Sequence, residues 1–205
     1  MGVRDENREK VDAAIRAAAR AQIREVGGGA LSMRAVAREV GMVSSAVYRY
    51  YPTREALLTA LVVESYGSLA HTLEQASGDS AQGWRDAAHA LRGWALERPH
   101  EFQLIYGTPI PGYVAPPETV PLAARIAAVF LGAAAGSTAP AASGTLADQL
   151  APLGGGTSAA PLTAVAELVG LLTLELGGHW VGTADPADHL YAFAVEQQVG
   201  RLGLS

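Results

Sequence analysis

Between residues 27 and 53 the chain is punctuated so closely that few local structures fit it. Gly27, Gly28 and Gly29 open the stretch, Gly41 interrupts it and Pro52 closes it. Glycine takes the left-handed conformation that ends helices, and proline lacks the amide donor that a helix interior requires. Two runs survive between these breaks. Ser32 stands where an N-cap belongs and predicts a short helix from Met33 to about Val40, and a second fits Ser44 to Tyr50. Helices this short are unstable alone in water and must pack on something. Val36, Ala37, Val40 and Val47 are spaced to pack the pair together and onto a preceding helix. Two short helices joined by a tight glycine turn form a helix-turn-helix, whose second helix enters the major groove of DNA. A helical hairpin with no DNA role, or a helical adaptor that binds protein, satisfies the same pattern.

The flanking segments are helical too. From about Arg8 to Val26, Ile15, Ala18, Ala19, Gln22, Ile23 and Val26 share one face, and Arg16, Arg20 and Arg24 lie on another. Thr53 caps a helix whose stripe of Leu57, Leu58, Leu61, Val62, Ser65, Tyr66, Leu69 and Leu73 outruns what a small DNA-binding domain needs. It reads as a connector between two domains, 1–54 and 55–205. Further helices are predicted at about 80–97, 99–106, 118–134, 162–182 and 186–202. The segment 162–182 is apolar nearly all round, which predicts burial on several sides. Residues 136–161 are rich in Gly, Ala, Ser, Thr and Pro and predict a flexible loop, with one turn near Leu146–Leu150. Alanine and leucine dominate the apolar residues, and aromatic residues are only 6%. Both favour an all-α fold, an N-terminal three-helix unit followed by a larger helical domain.

Hydrophobic residues make up 49% of the 205, enough for a substantial core. Cysteine is absent, which removes disulfides, thiolate zinc sites and cysteine nucleophiles, and suits a reducing cytoplasm. The start, Met1 to Lys10, is dense in charge and lacks the apolar centre of a signal peptide. Arg125 breaks the apolar stretch near 122–135, and Glu167, Glu175 and His179 break 162–182, so no membrane span is expected. Residues 1–66 carry ten Arg or Lys against eight Asp or Glu (+2), and residues 67–205 carry five against twelve (−7), within the net −5. The cations gather where DNA would be met, although a solvated helix surface accounts for the asymmetry as well. No GxSxG elbow, HExxH pair or phosphate loop is present, and Lys10 is the only lysine, so no enzyme is expected. His179, Asp185, Asp188 and His189 lack the short spacing of a zinc or calcium site, so neither metal nor cofactor is expected.

On the second short helix the outward face keeps Ser44, Ser45, Tyr48 and Arg49. Small hydroxyls let the backbone approach base edges, while tyrosine and arginine reach phosphate oxygens. The stretch LSMRAVAREVGMVSSAVYRYYPTREALLTAL, Leu31 to Leu61, resembles the signature of the tetracycline-repressor family. Val36-Ala37, Gly41, Tyr48, Tyr50, Tyr51, Thr53, Arg54, Glu55, Leu57 and Leu58 carry the resemblance. It implies a regulator that binds double-stranded operator DNA as a homodimer, most often a repressor released by a small molecule. It further implies that Ser32, Tyr48, Tyr50 and Arg54 hold phosphates and that Arg34, Val43, Ser44 and Ser45 lie nearest base edges. Three residues depart from the family pattern: Val43 where serine is common, Tyr51 where phenylalanine is usual, and Arg54 where lysine is usual.

Further along, WALERPHEFQLIYGTPIPGY (Trp94 to Tyr113) and LLTLELGGHW (Leu171 to Trp180) are similar to a WHG-type, actinobacterial subgroup of ligand-binding domains in that family. Trp94, Phe102, Tyr106, Tyr113 and Phe130, with Glu175 and His179, are the expected lining of an effector site for an apolar or aromatic molecule. Aromatic residues at helical spacing equally describe a core. Binding there is expected to tilt the connector helix and move the two reading helices out of register with the grooves. The last two helices are expected to form a four-helix dimer interface through Leu168, Leu171, Leu172, Leu190, Phe193 and Gln197, residues that could equally be intramolecular core.

Overall fold

In the computed structural model, which describes residues 2–76 and 78–205, the helices start and stop largely where side-chain chemistry tells them to. Met1, at the head of the charged N-terminal stretch, lies outside these residues. The first helix, α1 (Val3–Val26), begins five residues before the expected start at Arg8, with Asp5 and Glu6 at its positive end. It stops where Gly27 takes a φ of 77°, and the Gly27 amide donates to the Ile23 carbonyl at 2.9 Å. A single 3-10 turn leads to α2 (Met33–Glu39), whose N-cap Ser32 accepts from the Ala35 amide at 3.4 Å. Gly41, at φ 67°, reverses the chain into α3 (Ser44–Tyr48). That helix is two residues shorter than expected: the Tyr50 and Tyr51 amides both bond the Val47 carbonyl, closing the turn ahead of Pro52. Thr53 then caps α4 (Arg54–Gln75) by accepting from the Ala56 amide at 3.0 Å. The remaining helices are α5 (Ser80–Glu97), α6 (Pro99–Tyr106), α7 (Val120–Ala133), α8 (Thr145–Gln149), α9 (Ala159–Leu176) and α10 (Asp188–Leu202). No strand occurs among the described residues, and the fold is all-α.

These helices belong to two compact units, Met1–Tyr66 with His100–Thr119, and Gly67–Pro99 with Val120–Ser205. The core of the first is built from Ile15, Ala19, Val36, Ala37, Val47, Leu57, Leu58 and Leu61, all essentially inaccessible to water. Leu104 of α6, and Ile110 and Tyr113 of the segment after it, pack against that same core. This segment, expected in the C-terminal domain, groups by its packing with the unit that holds the helix-turn-helix.

Around Trp84, the second unit packs α5, α7, α9 and α10. The edge of Trp84 meets Phe130 at 5.3 Å between ring centroids, and its indole N–H donates to Gln198 Oε1 at 3.1 Å. Gln198 is buried yet satisfied, since its amide group also donates to the Ala164 carbonyl at 3.0 Å. Instead of one flexible loop, residues 136–161 contain α8, two 3-10 turns and the start of α9. The apolar helix α9 departs from its sequence expectation in how little of it is buried. By length and composition alone, with a mean hydropathy of 1.6 over the best window, residues 155–176 are apolar enough to cross a bilayer, a property that apolar helices of soluble proteins share. Yet only 22% of that window is buried within the chain, so the helix is not enclosed on several sides.

Candidate nucleic-acid interface

The surface made by α2, the glycine turn and α3 follows from which residues the core takes. On α3, Val47 is wholly buried and anchors the helix, while Ala46 and Ser44 are half-buried. The rest of the short helix faces water: Ser45 and Arg49 are exposed, Tyr48 is 44% exposed, and Val43, at the N-cap, is 71% exposed. Arg34 and Arg38 of α2 are exposed as well. Serine hydroxyls, a phenol, guanidinium groups and one aliphatic side chain therefore share a solvent-facing surface. That set can reach both phosphates and base edges.

Behind this face the support is polar and specific. The Ser32 amide donates to Gln22 Oε1 at 2.7 Å, while its hydroxyl caps α2. Tyr50 is half-buried with the Arg8 guanidinium over its ring, 5.9 Å from the centroid. Tyr51, unlike the phenylalanine usual at its place, carries a hydroxyl that must be satisfied on burial. It donates to Asp12 Oδ1 at 2.7 Å, and burial, reinforced by that carboxylate, pushes the phenol well above its ordinary range. Asp12 also pairs with Arg16 at 2.8 Å, and Arg16 and Arg20 both pair with Glu64, tying α1 to α4.

Arg54, expected at a phosphate, has partners within the chain. Its guanidinium donates to the carbonyls of Leu31 (3.0 Å), Gly28 (2.8 Å) and Gly29 (2.8 Å). They lie where the chain passes from α1 to α2, and the Gly28 carbonyl also accepts from the Leu31 amide at 3.4 Å. In this geometry Arg54 clamps the entry to the helix-turn-helix.

The residues expected to line an effector site are divided between the two units. In the first, Phe102 and Tyr106 lie 5.2 Å apart between ring centroids, and the Tyr113 hydroxyl is 3.2 Å from Thr59 Oγ1 of α4. Tyr66, which sequence reasoning placed only on the connector stripe, joins them. Burial raises its phenol, with Tyr113 adding to the effect, and burial beside Tyr66 raises Tyr106 in the same way. In the second unit, Trp94 is buried and donates to Ser68 Oγ at 3.0 Å, and Phe130 is buried against Trp84. Both are core. Glu175 forms a bidentate pair with Arg92 at 2.6 and 3.0 Å, and Asp188 meets the same arginine at 2.6 Å. His179 is exposed in the turn after α9.

Residues 15–61 match the model for bacterial regulatory proteins of the tetR family, and residues 84–198 match the tetracyclin repressor-like C-terminal domain. The chain belongs to the tetracycline-repressor family. Among relatives of this family, the HTH-type transcriptional regulators Rv1816 of Mycobacterium tuberculosis and Mb1846 of Mycobacterium bovis are each 44% identical over 145 residues. That alignment covers 68% of this chain and 62% of each relative, so the chain spans less than two thirds of their length. The crystal structure of SCO4313 superposes with a TM-score of 0.84 at 33% identity, covering 97% of this chain and all of that one. In this member of the tetracycline-repressor family the residues expected at a dimer interface separate cleanly. Leu168 and Leu172 point inward and are fully buried in their own unit. Leu171 and Leu190 are half-buried, Gln197 is exposed, and Phe193 is 62% exposed, with Leu174 of α9 also uncovered.

Proposed function

We propose that this chain is a cytoplasmic, ligand-responsive repressor that binds double-stranded operator DNA as a homodimer. The observation that carries this reading is the outward face of α3: Val47 anchors it while Val43, Ser45, Tyr48 and Arg49 stand in solvent. On this reading Ser32, Tyr48 and Tyr50 hold phosphates, with Arg49 beside them, and Arg34, Val43, Ser44 and Ser45 meet base edges. One such module buries too little surface to discriminate sequences strongly. Two copies would set their reading helices about 34–36 Å apart, one turn of DNA. The uncovered apolar face of α9 and α10, with Leu171, Leu174, Leu190, Phe193 and Gln197, is the surface through which a second copy would join.

The effector on this reading is a small apolar or aromatic molecule held by Phe102, Tyr106 and Tyr113 with Tyr66. These residues lie in the same compact unit as α3, so shifting the 100–119 segment acts directly on the helix-turn-helix core. Selection of duplexes from a random pool, followed by fluorescence anisotropy across a salt series, tests the DNA reading. A two-fold symmetric operator whose affinity falls steeply with salt is expected. Tyr48→Ala should weaken all sequences alike, and Ser45→Ala should change base preference. Absence of any enriched sequence, with salt-insensitive binding, would return the chain to the protein-binding adaptors. A compound that leaves operator affinity unchanged is excluded as the effector.

A further inference from the structure

Val43 is the side chain on this surface that the protein's own folding explains least. It sits at the N-cap of α3, where Ser, Thr, Asp or Asn would accept a hydrogen bond from the first turn, and α3 has no side-chain cap. It also leaves an isopropyl group 71% exposed, while Val36 and Val47 of the same unit are fully enclosed. Neither helix capping nor core packing accounts for a branched apolar residue there. Its neighbours on the exposed side, Ser45 and Arg49, are polar.

We propose that Val43 is a specificity-determining residue whose isopropyl group packs on the C5 methyl of a thymine in each operator half-site. The inference rests on α3 reading DNA. In a helix-turn-helix the N-terminal residues of the second helix are the ones that reach base edges. Among the groups displayed in the major groove, the thymine methyl is the apolar one, and every other base edge there offers donors or acceptors. Valine has no polar atom in its side chain. Set against guanine, adenine or cytosine it would strip water from polar groups and return no hydrogen bond, which is costly. Set against thymine it buries methyl against methyl. The residue therefore selects by attraction to one base and by penalty against the other three, and Ser44 and Ser45 beside it are left to read neighbouring positions through their hydroxyls.

The test uses the full chain and its selected operator, with each thymine replaced singly by deoxyuridine, a change that removes only the C5 methyl. One position per half-site should lose about fourfold in affinity, the factor that burial of one methyl-sized group corresponds to. Replacing both symmetry-related thymines should lose about sixteenfold. In V43A and V43S that sensitivity should disappear while sensitivity to other substitutions stays, a double-mutant cycle that separates direct contact from altered DNA shape. Both variants should melt at or above the parent temperature, because Val43 contributes little to the core and serine restores a cap. An operator bound tightly but indifferent to every thymine methyl overturns the inference alone, as does methyl sensitivity that survives in V43A. Failure to recover any operator overturns the DNA reading and the inference with it.

Discussion

Three carbonyls in the link between α1 and α2 accept from one guanidinium, and this points to a clamping role for Arg54. Gly28, Gly29 and Leu31 direct their oxygens at a side chain whose planar fork can serve all three. A phosphate-holding residue would have its charge free in solvent. The two roles predict different measurements. Arg54→Ala should lower unfolding stability by about 2 kcal/mol, since charge-assisted hydrogen bonds are lost and carbonyls are left open. It should leave the salt dependence of operator binding intact. Loss of a phosphate contact would instead reduce that slope by about one. Arg54→Lys should recover only part of the stability, because a single ammonium cannot span three acceptors. Denaturant melts and a salt titration on the same samples separate the outcomes; an unchanged midpoint with a reduced slope would return Arg54 to the DNA. The sequence showed a cation at this position but not its partners, which are backbone atoms 23 to 26 residues away.

At the scale of elements, helix boundaries were legible where one side chain or one glycine makes them: Ser32, Thr53, Gly27 and Gly41 all act as the sequence implied. What could not be read was which element each apolar face would meet. The segment after α6 is the clearest instance. Pro109 and Pro111 deny it regular helix, yet nothing local indicated that Ile110 would seat over Gly28, where an added Cβ would lie only 2.7 Å from the Ile110 side chain. Leu104, Ile110 and Tyr113 thereby become part of the helix-turn-helix core, and the aromatic list drawn from the sequence divides, with Phe102, Tyr106 and Tyr113 in one unit and Trp94 and Phe130 in the other. Ile110→Ala should cost about 1–2 kcal/mol, less than for a fully enclosed isoleucine because the residue is only partly buried. A lower thermal midpoint and weaker operator binding are expected together. A variant that melts like the parent would show that this segment only rests on the core without supporting it.

For the whole molecule the open question is what covers the apolar face of its last two long helices. A helix with a mean hydropathy of 1.6 and 22% of its window buried would be poorly placed in water as a single chain. Composition told how apolar α9 is, but not whether the covering surface is intramolecular, since Leu168 and Leu171 look alike in sequence and differ only in the direction they face. The two directions give separable predictions. Leu168 is fully enclosed, so Leu168→Ala should destabilise the protomer itself by about 2–5 kcal/mol. Phe193 is 62% exposed within one chain, so Phe193→Glu should leave protomer helicity intact and act only on association. A stable dimer buries roughly 1,200–2,000 Å² in total, and a carboxylate desolvated near the centre of such a face has no partner to offset it. If the proposed dimer forms through this face, sedimentation should therefore find the parent dimeric and Phe193→Glu monomeric. Operator affinity should fall at least a hundredfold, because each half-site must then be held alone. If Phe193→Glu still sediments as a dimer, the copies join through another surface, and the spacing of the two reading helices has to be derived from that surface instead.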